Sequence, residues 1–197
     1  PFLYYTALEN GFTSSTAFIS ERTTFPLLDG KTYSPHNYND VYGDKAISMA
    51  AAIAYSDNIY AVKTHLFLGT DNLIQMAERV GIPDEVPSLP LGTSEINIIH
   101  MAEGYSAFAN MGYKVDGHII NKVVDGYGNV LYQYTNEKEL VLNPSLVYIL
   151  NNMLTAPYDP LYIDYNYPTA ISLSGKLSHT YSLKSGTTSG DNWDIGY

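Results

Sequence analysis

The chain has 197 residues, of which 45% are hydrophobic and 15% are charged, a composition typical of one globular domain and not of a disordered segment. Its formal net charge of −10 argues against a nucleic-acid partner, because a phosphate backbone would repel it. Cysteine is absent, which excludes disulfides and thiolate metal sites. No apolar run reaches the roughly 18 residues of a membrane span, so we expect membrane attachment only through an anchor outside this chain.

The first half of the chain predicts mainly helices. Apolar spacing and stop signals place them over residues 1–10, 45–55, 59–68, 70–80 and 94–111. Between the first two, residues 11–42 are rich in Ser, Thr, Pro and Asn and predict a mostly irregular stretch. Asn58 is the expected cap of the third helix, Thr70 or Asp71 caps the fourth, and Gly81 follows the end of the fourth.

The second half carries the predicted strands. They cover a hairpin over residues 119–125 and 129–134 and two neighbouring strands over 180–187 and 193–197. Asn143 and Pro144 predict the start of a helix that runs to about residue 155, followed by turns. This order predicts an α+β fold. The uncapped apolar start and the strand at the end predict that both ends lie inside a larger fold.

The most informative stretch lies near the end of the chain and reads Lys184-Ser185-Gly186-Thr187-Thr188. Lys184 supplies a cation, and the neighbouring hydroxyl groups can donate to a carboxylate. The glycine lets another backbone approach the edge of a strand closely. By itself such a stretch is more often a turn.

A second motif, Ser56-Asp57-Asn58, adds a hydroxyl that can relay a proton and an amide that can hold a peptide carbonyl, although alone it would be read as a helix cap. The two are the second and third motifs of active-site-serine penicilloyl enzymes, whose first is Ser-x-x-Lys. No serine lies three positions before any of the ten Lys and Arg residues. The chain therefore carries residues that would surround the substrate in an acyl-transfer site, but not the nucleophile of that site.

The flanking residues identify the family that the chain resembles. The matching stretches are residues 1–11, Tyr33-Ser34-Pro35-His36-Asn37-Tyr38, residues 50–63, residues 91–110, and Lys184 to Thr188 followed by Trp193 and Gly196-Tyr197. In this order they resemble the transpeptidase domain of bifunctional (class A) penicillin-binding proteins. Asp57 and Leu183 depart from the usual residues of that family. The resemblance implies that the chain is a partial transpeptidase domain over residues 1–197, beginning one residue after the catalytic lysine.

The resemblance also implies catalytic roles for four residues. Ser56 would pass a proton toward the leaving D-alanine, and Lys184 would act on that proton network electrostatically. We therefore expect Ser56 Oγ and Lys184 Nζ to lie within hydrogen-bonding distance or one water apart. Asn58 would hydrogen-bond the side-chain amide of the substrate. The N–H of Thr187 would form half of the oxyanion hole, with the N–H of the serine outside this chain as the other half.

Substrate binding is expected along the strand that carries the third motif. The hydroxyls of Ser185, Thr187 and Thr188 would bind the terminal carboxylate of the substrate. With Gly186 at its edge, the strand would pair with an extended peptide. Metals and cofactors are not expected.

The resemblance implies a central antiparallel sheet flanked by helices, as in penicillin-binding proteins and serine β-lactamases, and incomplete in this chain. It also implies a peptidoglycan D,D-transpeptidase that takes a D-Ala-D-Ala donor and an amine acceptor from cell-wall stem peptides and is acylated by β-lactams. Such an enzyme works at the extracytoplasmic face of the bacterial plasma membrane. This chain alone is expected to be inactive.

Two other functions remain open at the level of sequence. A serine β-lactamase of class A would need a deacylating glutamate in a Glu-x-x-Leu-Asn context between the second and third motifs. None of the glutamates there has that context: Glu78, Glu85, Glu95, Glu103, Glu137 and Glu139. A non-catalytic module that binds wall peptides through the same strand would be favoured if the parent protein lacked the serine.

Other residue patterns in the sequence are weaker evidence for a functional site. His100 and Glu103 share a helix face, but no second histidine follows at ligand spacing, so a solvated pair is expected. Gly175-Lys176 lacks the other residues of a phosphate loop. For Trp193 we expect a core strand position, and for the 19 tyrosines packing at sheet and loop surfaces.

Overall fold

A computed structural model describes residues 1–26, 30–82, 96–135, 138–187, 190 and 192–197. Its helices are α1 (Phe2–Glu9), α2 (Met49–Tyr55), α3 (Asn58–Leu68), α4 (Thr70–Arg79), α5 (Ile98–Ala109) and α6 (Pro144–Met153). Short 3₁₀ turns cover Tyr38–Asp40, Ala156–Tyr158, Pro160–Tyr162 and Ile171–Leu173. In these ranges, each helix is too short or too polar to cross a bilayer.

The strands form antiparallel pairs. They are β1 (Ala17–Ser20), β2 (Phe25–Pro26), β3 (Thr32–Tyr33), β4 (Lys45–Ser48), β5 (Tyr113–Lys114), β6 (Lys122–Val124), β7 (Val130–Gln133), β8 (Glu139–Leu140), β9 (Leu183–Thr187) and β10 (Asn192–Gly196). Within the described ranges the pairs are β1 with β4, β2 with β3, β5 with β8, β6 with β7, and β9 with β10. This mixture of helices and antiparallel strands confirms the α+β prediction.

Helix α1 lies at the centre of the hydrophobic core. Its residues 3–8 are all buried, and it contacts α3, α4 and α6. A helix that is apolar on every side is stable only when other elements surround it. The aromatic rings of Tyr5 in α1, Tyr60 in α3 and Phe108 in α5 are fully buried, and burial of each such side chain stabilises the fold by about 1.5–3 kcal/mol. The core thus fixes α3, whose first residue belongs to the second motif.

The prediction of one helix over residues 45–55 is wrong in its first part. Residues 45–48 form β4, which pairs with β1 and places Ile47 opposite Phe18. The helix begins only at Met49, because the Ser48 hydroxyl accepts the N–H of Ala51 at 3.2 Å and caps it. Pairing with a distant strand overrides the helical preference of this stretch. Residues 11–42, predicted as mostly irregular, contain the short strands β1, β2 and β3, of which β2 and β3 pair with each other.

Two predicted helix caps are also wrong. Asp57, not Asn58, caps α3 by accepting the N–H of Tyr60 at 2.8 Å. Helix α4 follows Gly69, which has φ 82° and offers no side chain, in place of a cap by Thr70 or Asp71. The left-handed glycine itself turns the chain between α3 and α4.

The remaining helices and strands either begin and end as predicted or are shorter than predicted. Asn143 caps α6 with Pro144 at its first position, and Gly81 follows α4 with φ 80°. The helix predicted from residue 94 begins at Ile98 after the cap Asn97, and its first two predicted residues lie outside the described ranges. The 119–134 hairpin forms as β6 and β7, and the last two strands form as β9 and β10.

Candidate active site

Ser56 lies where two helices meet. Helix α2 ends at Tyr55, Ser56 follows with φ 54° and ψ 48°, and Asp57 caps α3 immediately afterwards. A left-handed conformation costs a residue with a Cβ about 1–2 kcal/mol, so surrounding contacts must hold it. The backbone N–H of Ser56 donates to Ile53 and that of Asp57 to Ala52, which fixes the turn. The serine is thereby presented in a break between helices, as the sequence predicts.

Lys184 reaches Ser56 from β9. Its Nζ donates to Ser56 Oγ at 2.8 Å and also contacts the carbonyl oxygen of Ser185. The position of Lys184 along β9 is set by the pairing with β10, where it lies opposite Ile195. The predicted contact between the second and third motifs, which are 128 residues apart, is confirmed.

The electrostatics of this contact depend on burial. Removal from water lowers the pKa of Lys184 from 10.5 to about 8, while the Asp194 carboxylate acts in the opposite direction. The ammonium form therefore predominates at neutral pH, but it loses its proton far more readily than an exposed lysine. A group with this pKa can donate a hydrogen bond and respond to a charge that appears beside it.

Two of the predicted carboxylate ligands lie on β9. Alternation along the strand places Ser185 and Thr187 on one face. In the described part of the chain, a Cβ added to Gly186 would meet only the carbonyl oxygen of Trp193, at 3.9 Å. Packing among the described residues therefore does not require this glycine, and the open space beside it suits an approaching backbone. Thr188, the last predicted ligand, lies outside the described residues.

Asn58 is held beside Ser56 by the preceding loop. Its side-chain amide donates to the carbonyl of His36 at 2.7 Å, and its backbone N–H donates to Asn37 Oδ1 at 2.8 Å. An amide nitrogen carries two hydrogens, so one can remain with His36 while the other donates to a substrate carbonyl.

The sequence pattern predicts no role for Asp57, which lies between the two predicted site residues. Its carboxylate is only 2% exposed and accepts the Ser20 hydroxyl at 2.5 Å in addition to the N–H of Tyr60. A third donor comes from Asn37, at 2.7 Å. The sequence assigns no role to Asn37 either, and the only signal was its place in the stretch from Tyr33 to Tyr38.

The weaker sequence candidates do not join this site in a catalytic arrangement. Glu103 accepts the backbone N–H of Gly117 at 3.0 Å and so supports a loop. Among the residues that the structure describes, no group of three or more His, Asp or Glu side chains could hold a metal ion. Trp193 is 45% exposed on β10, so a core position for it is wrong, because no described element covers that ring.

Comparison with known proteins places this geometry in a family. The family model for the penicillin-binding protein transpeptidase domain matches residues 1–189. Penicillin-binding protein 2D of Bacillus subtilis is 43% identical over 201 residues, which cover 100% of this chain and 29% of that protein. Penicillin-binding protein 1A of Neisseria flavescens is 34% identical over 139 residues, 68% of this chain and 17% of the relative. The chain therefore spans less than a third of these relatives.

Solved structures show the same fold. Penicillin-binding protein 1A of Haemophilus influenzae has a TM-score of 0.89 at 22% identity and covers 100% of this chain, which corresponds to 35% of that chain. Penicillin-binding protein A of Mycobacterium tuberculosis, in an imipenem acyl-enzyme complex, has a TM-score of 0.80 at 17% identity, covering 100% of this chain and 49% of that one.

Proposed function

The chain belongs to the penicillin-binding protein transpeptidase domain family, and we propose that in its parent protein it forms most of the site of a peptidoglycan D,D-transpeptidase. The observation that carries the proposal is the 2.8 Å contact between Ser56 Oγ and Lys184 Nζ. It joins two motifs whose residue types suit acyl transfer from a peptide that ends in a carboxylate. Residues 1–197 would be a partial domain, and the parent would supply the nucleophilic serine.

The proposed reaction has two steps. The serine hydroxyl attacks the carbonyl between the last two D-alanines of a stem peptide, an ester forms, and D-alanine leaves with the proton. The amine of a second stem peptide then attacks the ester, forms the cross-link and returns a proton to the serine. β-Lactams would be attacked in the same way, and their ring-opened ester would persist because no deacylating glutamate is evident in the sequence.

The residues of this chain bind and orient the reactants. Ser56, held by Lys184, relays the proton toward the departing amine, and Asn58 holds the substrate amide. The backbone N–H of Thr187 stabilises the oxyanion. Such a site would work on the extracytoplasmic face of the bacterial plasma membrane, where stem peptides are exposed, and an anchor would lie in other parts of the parent.

Cross-linking of a defined substrate tests this function. The full-length parent is incubated with glycan chains that carry pentapeptide stems, and released D-alanine and cross-linked products are measured together. We expect D-alanine and cross-links to appear in comparable amounts and to stop after treatment with penicillin. D-Alanine release without cross-links would identify a carboxypeptidase, and neither product would favour a module that only binds wall peptides.

Replacement of Thr187 by Val in the parent is expected to reduce acylation by a β-lactam at least about tenfold. The change keeps the branched shape and removes a hydroxyl donor to the substrate carboxylate, and a hydrogen bond to a charged group contributes about 1.5–3 kcal/mol. The second-order acylation rate measured with a fluorescent penicillin checks this. The control Thr187→Ser, which keeps the hydroxyl, should stay near the parent rate; an unchanged rate in a folded Val variant would contradict the carboxylate role.

Acylation should also decline as pH rises through about 8. Above the pKa of Lys184 its ammonium group becomes neutral, so it no longer attracts the substrate carboxylate or donates a charged hydrogen bond to Ser56. Rates measured between pH 6 and 10 on the parent should show this alkaline limb. Lys184→Arg keeps its charge over this range, so it should move the limb upward even if its absolute rate is lower. If the acylation rate of this variant falls over the same pH range as that of the parent, a group other than Lys184 causes the fall.

A further inference from the structure

The Asn37 side chain makes four hydrogen bonds beside the second motif. It is 7% exposed, and its amide nitrogen donates to Asp57 Oδ2 at 2.7 Å and to the carbonyl of Val41 at 3.1 Å. Its amide oxygen accepts the N–H groups of Asn58 at 2.8 Å and Ile59 at 3.4 Å. Both hydrogens and both lone pairs of the amide are therefore used.

These contacts complete the start of α3. The first N–H groups of a helix have no partner within it. In α3 the first two, from Asn58 and Ile59, are bound by Asn37, and the third, from Tyr60, is bound by Asp57. The helix start is thus fixed by its own cap and by a loop that lies about twenty residues earlier in the chain.

The buried Asp57 carboxylate links that loop to β1. Its three donors are the Ser20 hydroxyl, the Asn37 amide and the N–H of Tyr60. A buried charge is strongly unfavourable unless such partners satisfy it, so loss of one donor disturbs the others. Ser20 is the last residue of β1, and the network therefore ties a strand, a loop and a helix together.

The loop that carries Asn37 has an unusual backbone. Asn39 and Asp40 follow with φ values of 54° and 56°, a conformation that residues with a Cβ rarely adopt. The bond from Asn37 to Val41 spans both residues, and Asp40 is paired with His36 at 2.9 Å. Backbone strain of this kind persists where surrounding contacts impose it, and it concentrates at functional sites.

The same loop holds both outer residues of the motif indirectly. Ser56 shares a peptide bond with Asp57, so a shift at the start of α3 changes the left-handed turn that presents the Ser56 hydroxyl. The Asn58 side chain is bound by the carbonyl of His36, the neighbour of Asn37. Residues 36 and 37 therefore hold the motif through contacts that are separate from the one with Lys184.

We propose that Asn37 is a positioning residue for the acyl-transfer site. By binding Asp57 and the first N–H groups of α3, it sets the Ser56 hydroxyl at hydrogen-bonding distance from Lys184 and sets the direction of the Asn58 amide. This inference rests on the proposed transpeptidase function. It adds a residue that lies outside the three sequence motifs.

The test uses Asn37→Asp in the full-length parent. The variant keeps the shape, removes a donor and places a second carboxylate against Asp57. With a fluorescent penicillin, we expect an acylation rate constant at least about tenfold lower, as for loss of a hydrogen bond to a charged group, with little change in the noncovalent dissociation constant.

A double variant tests the pair directly. Combining Asn37→Asp with Asp57→Asn exchanges donor and acceptor between these two side chains but leaves the carbonyl of Val41 without its donor. The acylation rate should therefore rise at least about threefold above that of Asn37→Asp without reaching the parent rate, as expected when two changes in contact are coupled. Failure of the exchange to restore any activity, with both variants folded, would overturn the pairing. An Asn37→Asp variant that acylates at the parent rate would overturn the positioning role.

Asn143→Ala is the matched control for loss of stability. It removes the side-chain cap of α6, because the Asn143 side chain accepts the N–H of Ser145 at 2.9 Å. This cap lies at the N-terminal end of α6, 40 residues before the start of β9. This variant should lower Tm and leave the acylation rate within about twofold, since a lost cap acts on stability. If Asn143→Ala lowers the acylation rate as much as Asn37→Asp does, Asn37 contributes only to stability and has no positioning role.

Crystal structures separate this inference from the proposed function. If the unaltered parent forms no adduct with penicillin, the transpeptidase proposal fails, and the structures of the parent and of Asn37→Asp then decide the positioning role. A Ser56 Oγ to Lys184 Nζ distance that stays near 2.8 Å in the variant overturns it. A broken contact, or loss of the left-handed conformation of Ser56, supports it.

Discussion

The isolated 197-residue chain is expected to form no covalent adduct with a penicillin, even in large excess. Acylation requires a hydroxyl that is activated by an adjacent base and placed at an oxyanion hole. The chain has no Ser-x-x-Lys sequence, and Ser56, its motif serine, is expected to relay protons and not to attack. Intact mass spectrometry after incubation with a labelled penicillin measures this directly.

A longer version of the protein supplies the control. A chain extended upstream through the Ser-x-x-Lys expected there should take up one penicillin per molecule, and replacement of that serine by Ala should abolish the adduct. Circular dichroism of both versions establishes whether each is folded, since unpaired strand edges are expected to make the shorter chain prone to aggregation. A stoichiometric adduct on the 197-residue chain would show that another residue is the nucleophile.

Lys184→Ala in the parent should lower the acylation rate constant by about a hundredfold or more. The variant removes the cation that donates to Ser56 Oγ, and loss of a positioned acid–base group typically reduces rates by about 10²–10⁴-fold. It also removes the positive charge expected to attract the substrate carboxylate. Stopped-flow or quench-flow rates with a fluorescent penicillin provide the measurement.

Lys114→Ala is the matched lysine control. Lys114 forms a surface ion pair with Asp116 at 3.4 Å, and such pairs contribute little to stability. This variant should acylate at the parent rate. A Lys184→Ala protein that is folded and acylates as fast as this control would contradict the role of the Ser56 to Lys184 contact.

The sequence predicts the parts of the site whose signals are local. A cap at Asn143 followed by Pro144 defines a helix start by side-chain chemistry alone, and the structure confirms it. The contact between Ser56 and Lys184 was predictable because the resemblance relates both motifs to one known arrangement. Their catalytic roles remain predictions.

Features set by partners that are distant in the chain were not predictable. The sequence of residues 45–48 favours a helix, yet they form a strand because the backbone of β1 provides hydrogen-bond partners along its length. Asp57 replaces Asn58 as the cap of α3 because Ser20 and Asn37 meet its carboxylate in the interior. A pattern read over a few residues contains no information about such contacts.

Peptide mapping of the penicillin adduct on the full-length parent tests the central claim most directly. The claim is that this chain supplies the binding and proton-relay residues of an acyl-transfer site, and that the nucleophile comes from the part of the parent before Pro1. Protease digestion and tandem mass spectrometry should locate the adduct on a serine upstream of Pro1, three residues before a lysine. An adduct on Ser56, on any other residue of the 197, or on none at all would contradict the account.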